Sequence, residues 1–372
     1  MPKRALQDVT NATQQSSGIV GKKQVRAAET RAALSAAAAA AAGAIYRPVR
    51  QTARRTTSDL ALPAQQTTTG RGGVAQQRRT LQPTGSTSTF ATAMSEMTLG
   101  AGAVDDIDAL DRHDPQAVVE YLPDIMEHLR IFETKWLPSP DYMHAQTDIN
   151  EKMRAILIDW LIDVHLKFKL VPETMYLTVN IIDRFLSAKH VARKKLQLVG
   201  VTAMLIASKY EEIYAPEVKD FVYISDKAYS RDEILKMESL MLNTLGFNLT
   251  VPSALTFVTR FVKASGNGAD KEFEMLSTYM VELMLQEYFM IKYLPSMVAA
   301  SAVYLSFKIL GRSGWTSTMH RYTQYSEAAL KNCSTDLFGL LKAARTNPQL
   351  QAVKKKYSSV KFSEVANIPI EG

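Results

Sequence analysis

The sequence predicts an all-α protein: two successive five-helix units behind an N-terminal segment that does not fold by itself. Three observations lead there. From residue 115 to about 345 apolar residues recur at helical spacing, and few runs alternate as strands do. The first 103 residues have a different composition from the rest. One small-residue segment also returns: Val199-Gly-Val-Thr-Ala-Met-Leu-Ile-Ala-Ser-Lys209 lines up with Val298-Ala-Ala-Ser-Ala-Val-Tyr-Leu-Ser-Phe-Lys308, at an offset of 99 residues. Val, Ala and Lys fall in register there, and small side chains on one face let neighbouring helices approach closely.

Residues 1–103 carry 13 Lys+Arg against 4 Asp+Glu, and Tyr46 and Phe90 are their only aromatic residues. Such a segment buries too little apolar area to offset its ordering entropy, so it reads as a disordered basic regulatory tail. Transient helix is expected only at Arg31–Ala42, where alanine dominates. The chain's net charge of +7 divides into +9 for this tail and −2 for residues 104–372. Basicity is therefore no argument that the folded part binds nucleic acid. The acidic group Asp105, Asp106, Asp108 and Asp111 marks the boundary.

Beyond it, periodicity predicts helices over 115–133, 151–168, 173–186, 194–211, 231–245, 253–264, 270–286, 295–309 and 326–343, with shorter turns near 215–223 and 316–322. Pro172-Glu173, Pro252-Ser253 and Pro295-Ser296 have the chemistry of helix starts, and Gly246 that of a C-terminal cap. The domain reading is an N-terminal helix at 115–135 and two units at 136–250 and 251–365. In the second helix, Met153 to Lys167, one face holds Met153, Ile156, Leu157, Trp160 and Val164, and the opposite side Ile158, Leu161, Ile162 and His165. A helix apolar nearly all round belongs in the middle of a bundle, and its charges Arg154, Asp159 and Asp163 then need partners.

Several functional classes find no support. One cysteine, Cys333, excludes an intrachain disulfide and suits a reducing compartment. The opening residues carry no signal-peptide core, and no apolar run approaches the ~20 residues a membrane helix needs. The six histidines (113, 128, 144, 165, 190, 320) show no ligand spacing, so neither metal nor cofactor is expected. No phosphate-binding glycine loop occurs. Glu211-Glu212 read as surface or capping groups, and Lys354-Lys355-Lys356 as a solvated run after the last helix.

Long motifs in order then identify a family. MRAILIDWL, ETMYLTVNIIDRFLS at 173–187, KKLQLVGVTAMLIASKYEEIYAPEVKDFVYISD at 194–226 and MESLMLNTLGF at 237–247 resemble the cyclin box. The likeness runs from about Tyr121 to about Lys361, and its wording is similar to B-type mitotic cyclins of plants and green algae. It implies two tandem cyclin-box repeats. It also implies a regulatory subunit, not an enzyme, that binds and activates a cyclin-dependent Ser/Thr protein kinase at mitosis. A-type cyclins of S and G2 phase, and transcription factors with a double cyclin fold, share the architecture and stay open.

Five positions that characterise a kinase-activating cyclin box match here: Arg154, Asp183, Leu198, Lys209 and Glu238. The resemblance makes Arg154–Asp183 a buried structural ion pair. It directs Lys209 and Glu238 at the kinase, with Ile206, Tyr210, Leu242, Phe247 and Leu249 around them and Tyr121 and Ile125 reaching the kinase's large lobe. Read without it, Lys209 and Glu238 are an ordinary surface pair worth little. The resemblance also makes Met153, Ile156, Leu157, Trp160, Asp163, Leu196, Gln197 and Ile224 a shallow groove for Arg-x-Leu peptides of substrates and inhibitors. Asp163 stands where many relatives carry glutamate; plain core packing explains several of the others equally. A destruction motif, Arg-x-x-Leu with Asn five residues on, is approached by Lys3-Arg4-Ala5-Leu6 and Asn11, with Lys3 in place of the leading Arg. It implies a ubiquitin ligase as a further partner. The implied location is nucleus and cytoplasm, with no direct contact to nucleic acid or membrane.

Overall fold

Helix starts in this chain are set by side chains that accept the first free amides, and by prolines where no amide is needed. The computed structural model describes residues 104–312 and 314–370, and all numbering of elements below refers to these. The expectations for residues 1–103, including Lys3, Arg4, Leu6 and Asn11, lie outside the described residues.

A short 3-10 turn at Val119–Tyr121 leads into α1 (Leu122–Lys135), and α2 (Tyr142–Ala145) follows. The first repeat is α3 (Glu151–Phe168), α4 (Pro172–Ala188), α5 (Arg193–Glu211), α6 (Val218–Ile224) and α7 (Arg231–Thr244). The second is α8 (Ala254–Ala264), α9 (Lys271–Leu283), α10 (Pro295–Ile309), α11 (Ser317–Thr323) and α12 (Glu327–Thr346), with α13 (Ala352–Tyr357) after it. Among the described residues there is no strand. Asn150, Ser253 and Ser326 cap α3, α8 and α12, and Ser230 with Glu233 forms a capping box on α7. Pro172 and Pro295 stand at the first turns of α4 and α10.

The first helix begins later than its periodicity suggests. Residues 115–118 turn without entering a helix, Val118 sits at φ 45°, and α1 starts only around Pro123. Proline is welcome at that point and restricts the residue before it. Helices α2 and α13, at four and six residues, are too short to show a period and were not legible.

Each repeat has one helix at its centre. In the first it is α5, not α3: every residue from Leu196 to Ser208 is buried, and α5 packs on α3, α4, α6 and α7. Gly200 permits this, since a Cβ there would lie 2.8 Å from Leu157 Cδ1 of α3. In the second, α10 packs on α8, α9 and α12. The two halves of the sequence repeat, 199–209 and 298–308, are thus the two hub helices. Helix α3 lies to one side, covered by α5 and by α13 from the end of the chain. It therefore keeps an exposed edge at Asp163, Leu166 and Lys167.

The repeats are joined by buried charge. Arg154, 1% exposed, holds Asp183 by two parallel bonds, Nε to Oδ1 at 2.6 Å and Nη2 to Oδ2 at 2.7 Å. Its Nη1 donates to the carbonyls of Leu285 and Gln286 in the second repeat, and Tyr142 donates its hydroxyl to Asp183. Burial opposes the charge on Arg154, but Asp183 outweighs it, and the guanidinium is held above its ordinary value. Lys356 corrects the reading of the 354–356 run as solvated: it is buried, with Nζ 2.6 and 2.8 Å from the carboxylate of Glu282, which also accepts from Tyr357. Glu212 is a capping group, though for its neighbour: Oε1 accepts from Val171 N and Thr174 Oγ1 at the start of α4.

Candidate partner-binding surface

The last turn of α5 and the middle of α7 run side by side, which places Lys209 and Glu238 on one face. Lys209 Nζ donates to Glu238 Oε1 at 2.7 Å; the lysine side chain is about half exposed and the glutamate mostly covered. Around them lie Tyr210, 47% exposed, Phe247, 64% exposed, and the half-buried Leu242 and Leu249. Tyr210 and Thr250 share a hydroxyl contact of 2.5 Å. Phe247 follows Gly246 after α7, and both sit in the left-handed region at φ 58°. That conformation is routine for Gly246. For a bulky side chain it costs of order 1–3 kcal/mol. The fold accepts that cost and leaves the ring in solvent, an arrangement with no gain for the core.

Ile206 does not share this surface. It is 2% exposed: it shares a face with Lys209 and Tyr210 but lies one turn earlier, where α5 is buried on all sides, and only from Lys209 onward does the helix emerge. Tyr121 and Ile125 are exposed, at 58% and 39%, on the turn before α1 and its first turns. The far end of α1 adjoins the Lys209 face: Trp136 lies under the Arg184 guanidinium at 4.8 Å, and Arg184 donates to the carbonyl of Asn248. Glu211, next to Tyr210, has its carboxyl pushed up by burial, with Glu173 and Glu212 adding to the effect.

Apart from Ile224, which ends α6, the second predicted set lies on α3 and the first turns of α5, two helices that pack on each other. Met153, Leu157, Leu196 and Gln197 are buried; Ile156, Trp160 and Ile224 are half-buried, and Asp163 is exposed. Only these last four offer substantial surface; Leu157 packs over Gly200 in the α3–α5 contact. Gln197 Oε1 is buried without a hydrogen-bond partner, an unusual state for a polar atom.

Sequence reading missed three polar contacts that fix the N-terminal helix and the chain end. Glu133 accepts from Ser296 N and Oγ at the start of α10, and burial pushes its carboxyl up while those bonds oppose. Asp159 accepts from Gln286 and from the amide of Ala352. Asp108 holds Arg260 and Lys263. Each pairs residues more than 100 positions apart, so spacing carries no signal of them. Among the described residues no three His, Cys, Asp or Glu side chains gather as a metal cage, and no helix is long and apolar enough to cross a membrane.

Comparison with known proteins agrees with this geometry. The model of the cyclin N-terminal domain matches residues 124–250, and that of the cyclin C-terminal domain residues 252–371. Cyclin-B2-4 of Arabidopsis thaliana is 50% identical over 272 residues, 73% of this chain and 62% of the relative. G2/mitotic-specific cyclin-2 of Medicago sativa is 49% identical over 262 residues, covering 70% of this chain and 79% of the relative. The chain thus spans less than two thirds of the first relative's length. The solved structure of a viral cyclin from herpesvirus saimiri shares the fold, with a TM-score of 0.53 at 19% identity, over 59% of this chain and 96% of that one. Two family models in tandem, and near 50% identity to plant B-type relatives, settle the matter: the chain belongs to the cyclin family and is similar to the B2-type cyclins of plants.

Proposed function

We propose that this protein is a regulatory subunit that binds and activates a cyclin-dependent Ser/Thr protein kinase at mitosis, without a catalytic group of its own. The observation that carries the reading is the Lys209–Glu238 pair, its lysine half exposed and its glutamate mostly covered, on helices that also carry the solvent-facing Tyr210 and lead into Phe247. A few placed charges within an apolar centre is the usual anatomy of a binding surface. An active kinase needs the lysine of its small-lobe strand paired to the glutamate of its regulatory helix, and its activation loop drawn aside. Binding energy supplied here favours the conformer that has both. The mitotic timing is supported by the G2/mitotic-specific name of the alfalfa relative.

The α3–α5 crossing is proposed as a docking site for Arg-x-Leu segments of substrates and inhibitors. Trp160, Ile156 and Ile224 supply the apolar wall and Asp163 a carboxylate for the basic residue. The tail motif at Lys3, Arg4, Leu6 and Asn11 is proposed to hand the protein to a ubiquitin ligase. Nucleus and cytoplasm are the proposed locations.

The test is a pulldown for a bound kinase followed by a phosphotransfer assay with and without this chain. Lys209→Ala with Glu238→Ala is expected to abolish activation and leave the helical circular-dichroism spectrum intact. Activation that survives this double change overturns the assignment of the surface.

A further inference from the structure

Before α1 the chain crosses the outer side of the second repeat without forming a helix, and charged contacts hold it there. Asp108, 7% exposed, meets Arg260 of α8 fork to fork, Oδ1 to Nη1 and Oδ2 to Nη2 both at 2.5 Å, and accepts from Lys263 Nζ at 2.7 Å. Lys263 also bonds Asp111. The Arg260 guanidinium lies 5.2 Å over the ring of Tyr322, on α11. Tyr322 Oη accepts from Ile107 N and donates to the carbonyl of Asp105, whose own amide reaches Thr318. Arg260, aided by Lys263, holds the Asp108 carboxyl down at about 2.

Helix α1 grips the same two elements. Arg130 donates to the carbonyl of Thr323 at 2.5 Å and lies over the rings of Phe257 and Phe261 at 5.7 and 5.9 Å. Between the Asp108 anchor and the Arg130 anchor the chain carries Val118 at φ 45°, a β-branched residue in the left-handed region, and then the exposed Tyr121 and Ile125. A strained, solvent-facing span keeps one shape only when both of its ends are fixed. Fork-to-fork guanidinium–carboxylate contact on a half-shielded surface gives that fixity a direction as well as a strength.

We propose that Asp108, Arg260 and Lys263 form an ionic clasp that positions Tyr121 and Ile125 for the kinase, so that the acidic segment 105–111 governs affinity without touching the partner. The clasp rests on the kinase-binding reading above. These are positioning residues: their work is to keep the 118–125 span in the one arrangement that can bind, and apparent affinity scales with the fraction of molecules in that arrangement.

The experiment uses the full chain. Asp108→Asn, and Lys263→Gln as a milder second variant, are compared with the unaltered protein by amide hydrogen exchange and by titration with the kinase that the protein retains. Faster exchange confined to about residues 104–130 is expected, with an affinity about tenfold lower for Asp108→Asn and an unchanged helical spectrum. The charge-exchanged pair Asp108→Arg with Arg260→Asp is expected to recover part of the loss, limited by Lys263, which then faces a like charge, and mere packing gives no such rescue. The clasp is overturned if Asp108→Asn binds within about twofold of the unaltered chain while Lys209→Ala with Glu238→Ala binds nothing. If instead the Lys209 and Glu238 changes also leave binding intact, the kinase surface is misassigned. The exchange data then decide alone, and unaltered protection over 104–130 overturns the clasp.

Discussion

Removing the charge of Asp183 tests the inter-repeat joint at its most exposed assumption, that a buried guanidinium depends on one carboxylate. Arg154 is 1% exposed and, among the described residues, its one ion-pair partner is Asp183, at 2.6 and 2.7 Å, with the Glu287 carboxylate acting on it from farther off; its other bonds go to the backbone carbonyls of Leu285 and Gln286. Asp183→Asn keeps the shape and strands the cation. Stranding one member of a buried pair costs ~3–5 kcal/mol. That is a large share of the 5–15 kcal/mol that stabilises a typical domain. For folds of 150–250 residues each kcal/mol moves Tm by about 2–4 °C, so a fall of roughly 6–20 °C is expected. Urea and thermal melts followed by far-ultraviolet circular dichroism measure it. Because Arg154 also holds the 284–286 turn of the second repeat, both repeats should lose structure in one transition. A companion variant, Arg154→Met with Asp183→Leu and Tyr142→Phe, removes both charges and the hydroxyl that Asp183 accepts. It should be more stable than Asp183→Asn, since no charge remains buried. A loss below ~1 kcal/mol for Asp183→Asn, or a companion variant no better than the single change, refutes the reasoning.

Two further outcomes are expected. Lys356→Met leaves Glu282 buried with, among the described residues, the Tyr357 hydroxyl as its remaining hydrogen-bond donor, at a cost of ~3–5 kcal/mol, and Glu282→Gln together with it should return much of that; urea midpoints decide. His165 is buried on α3, bonded through Nε2 to the carbonyl of Val171 at 2.8 Å, with Lys356, Glu282 and Glu212 the charged groups that bear on it. Burial, chiefly, lowers its tendency to take a proton below the ordinary 6.5, so the unfolded chain binds the proton more readily. Stability carried by neutral His165 is complete above that value and falls as pH drops below it. Denaturant midpoints between pH 7.5 and 5.5 should show a slope that His165→Asn flattens; an unaltered slope counts against it.

Much of this molecule could be read from local pattern. Periodicity located the long helices because helices are set by contacts three and four residues apart. The 99-residue repeat marked α5 and α10 as helices that neighbours approach closely, for a related reason: small residues at helical spacing are a packing instruction written in consecutive sequence; that these two are the hubs came from the packing. The Lys209–Glu238 pair could be named as well, though only because the surrounding wording resembles a family. By spacing alone, 29 residues apart on two helices, nothing linked them. Ile206 shows the limit. It shares a helix face with Lys209 and Tyr210, yet one turn earlier α5 is covered on all sides, and an apolar residue beside an exposed one is as readily floor as rim.

What the chain alone determined was therefore the helical class and its division into two units, since these follow from interactions short along the backbone; which helix stands at the centre of the first unit was left to the fold. Tertiary structure decided where lone charges end. Lys356 in a run of lysines looks solvated, and Asp108 in a run of aspartates looks like a boundary, until Glu282 and Arg260 arrive from 74 and 152 residues away. A charge enters the interior, or is pinned to a surface, only when its counter-charge is delivered by the fold, and no local pattern records that delivery.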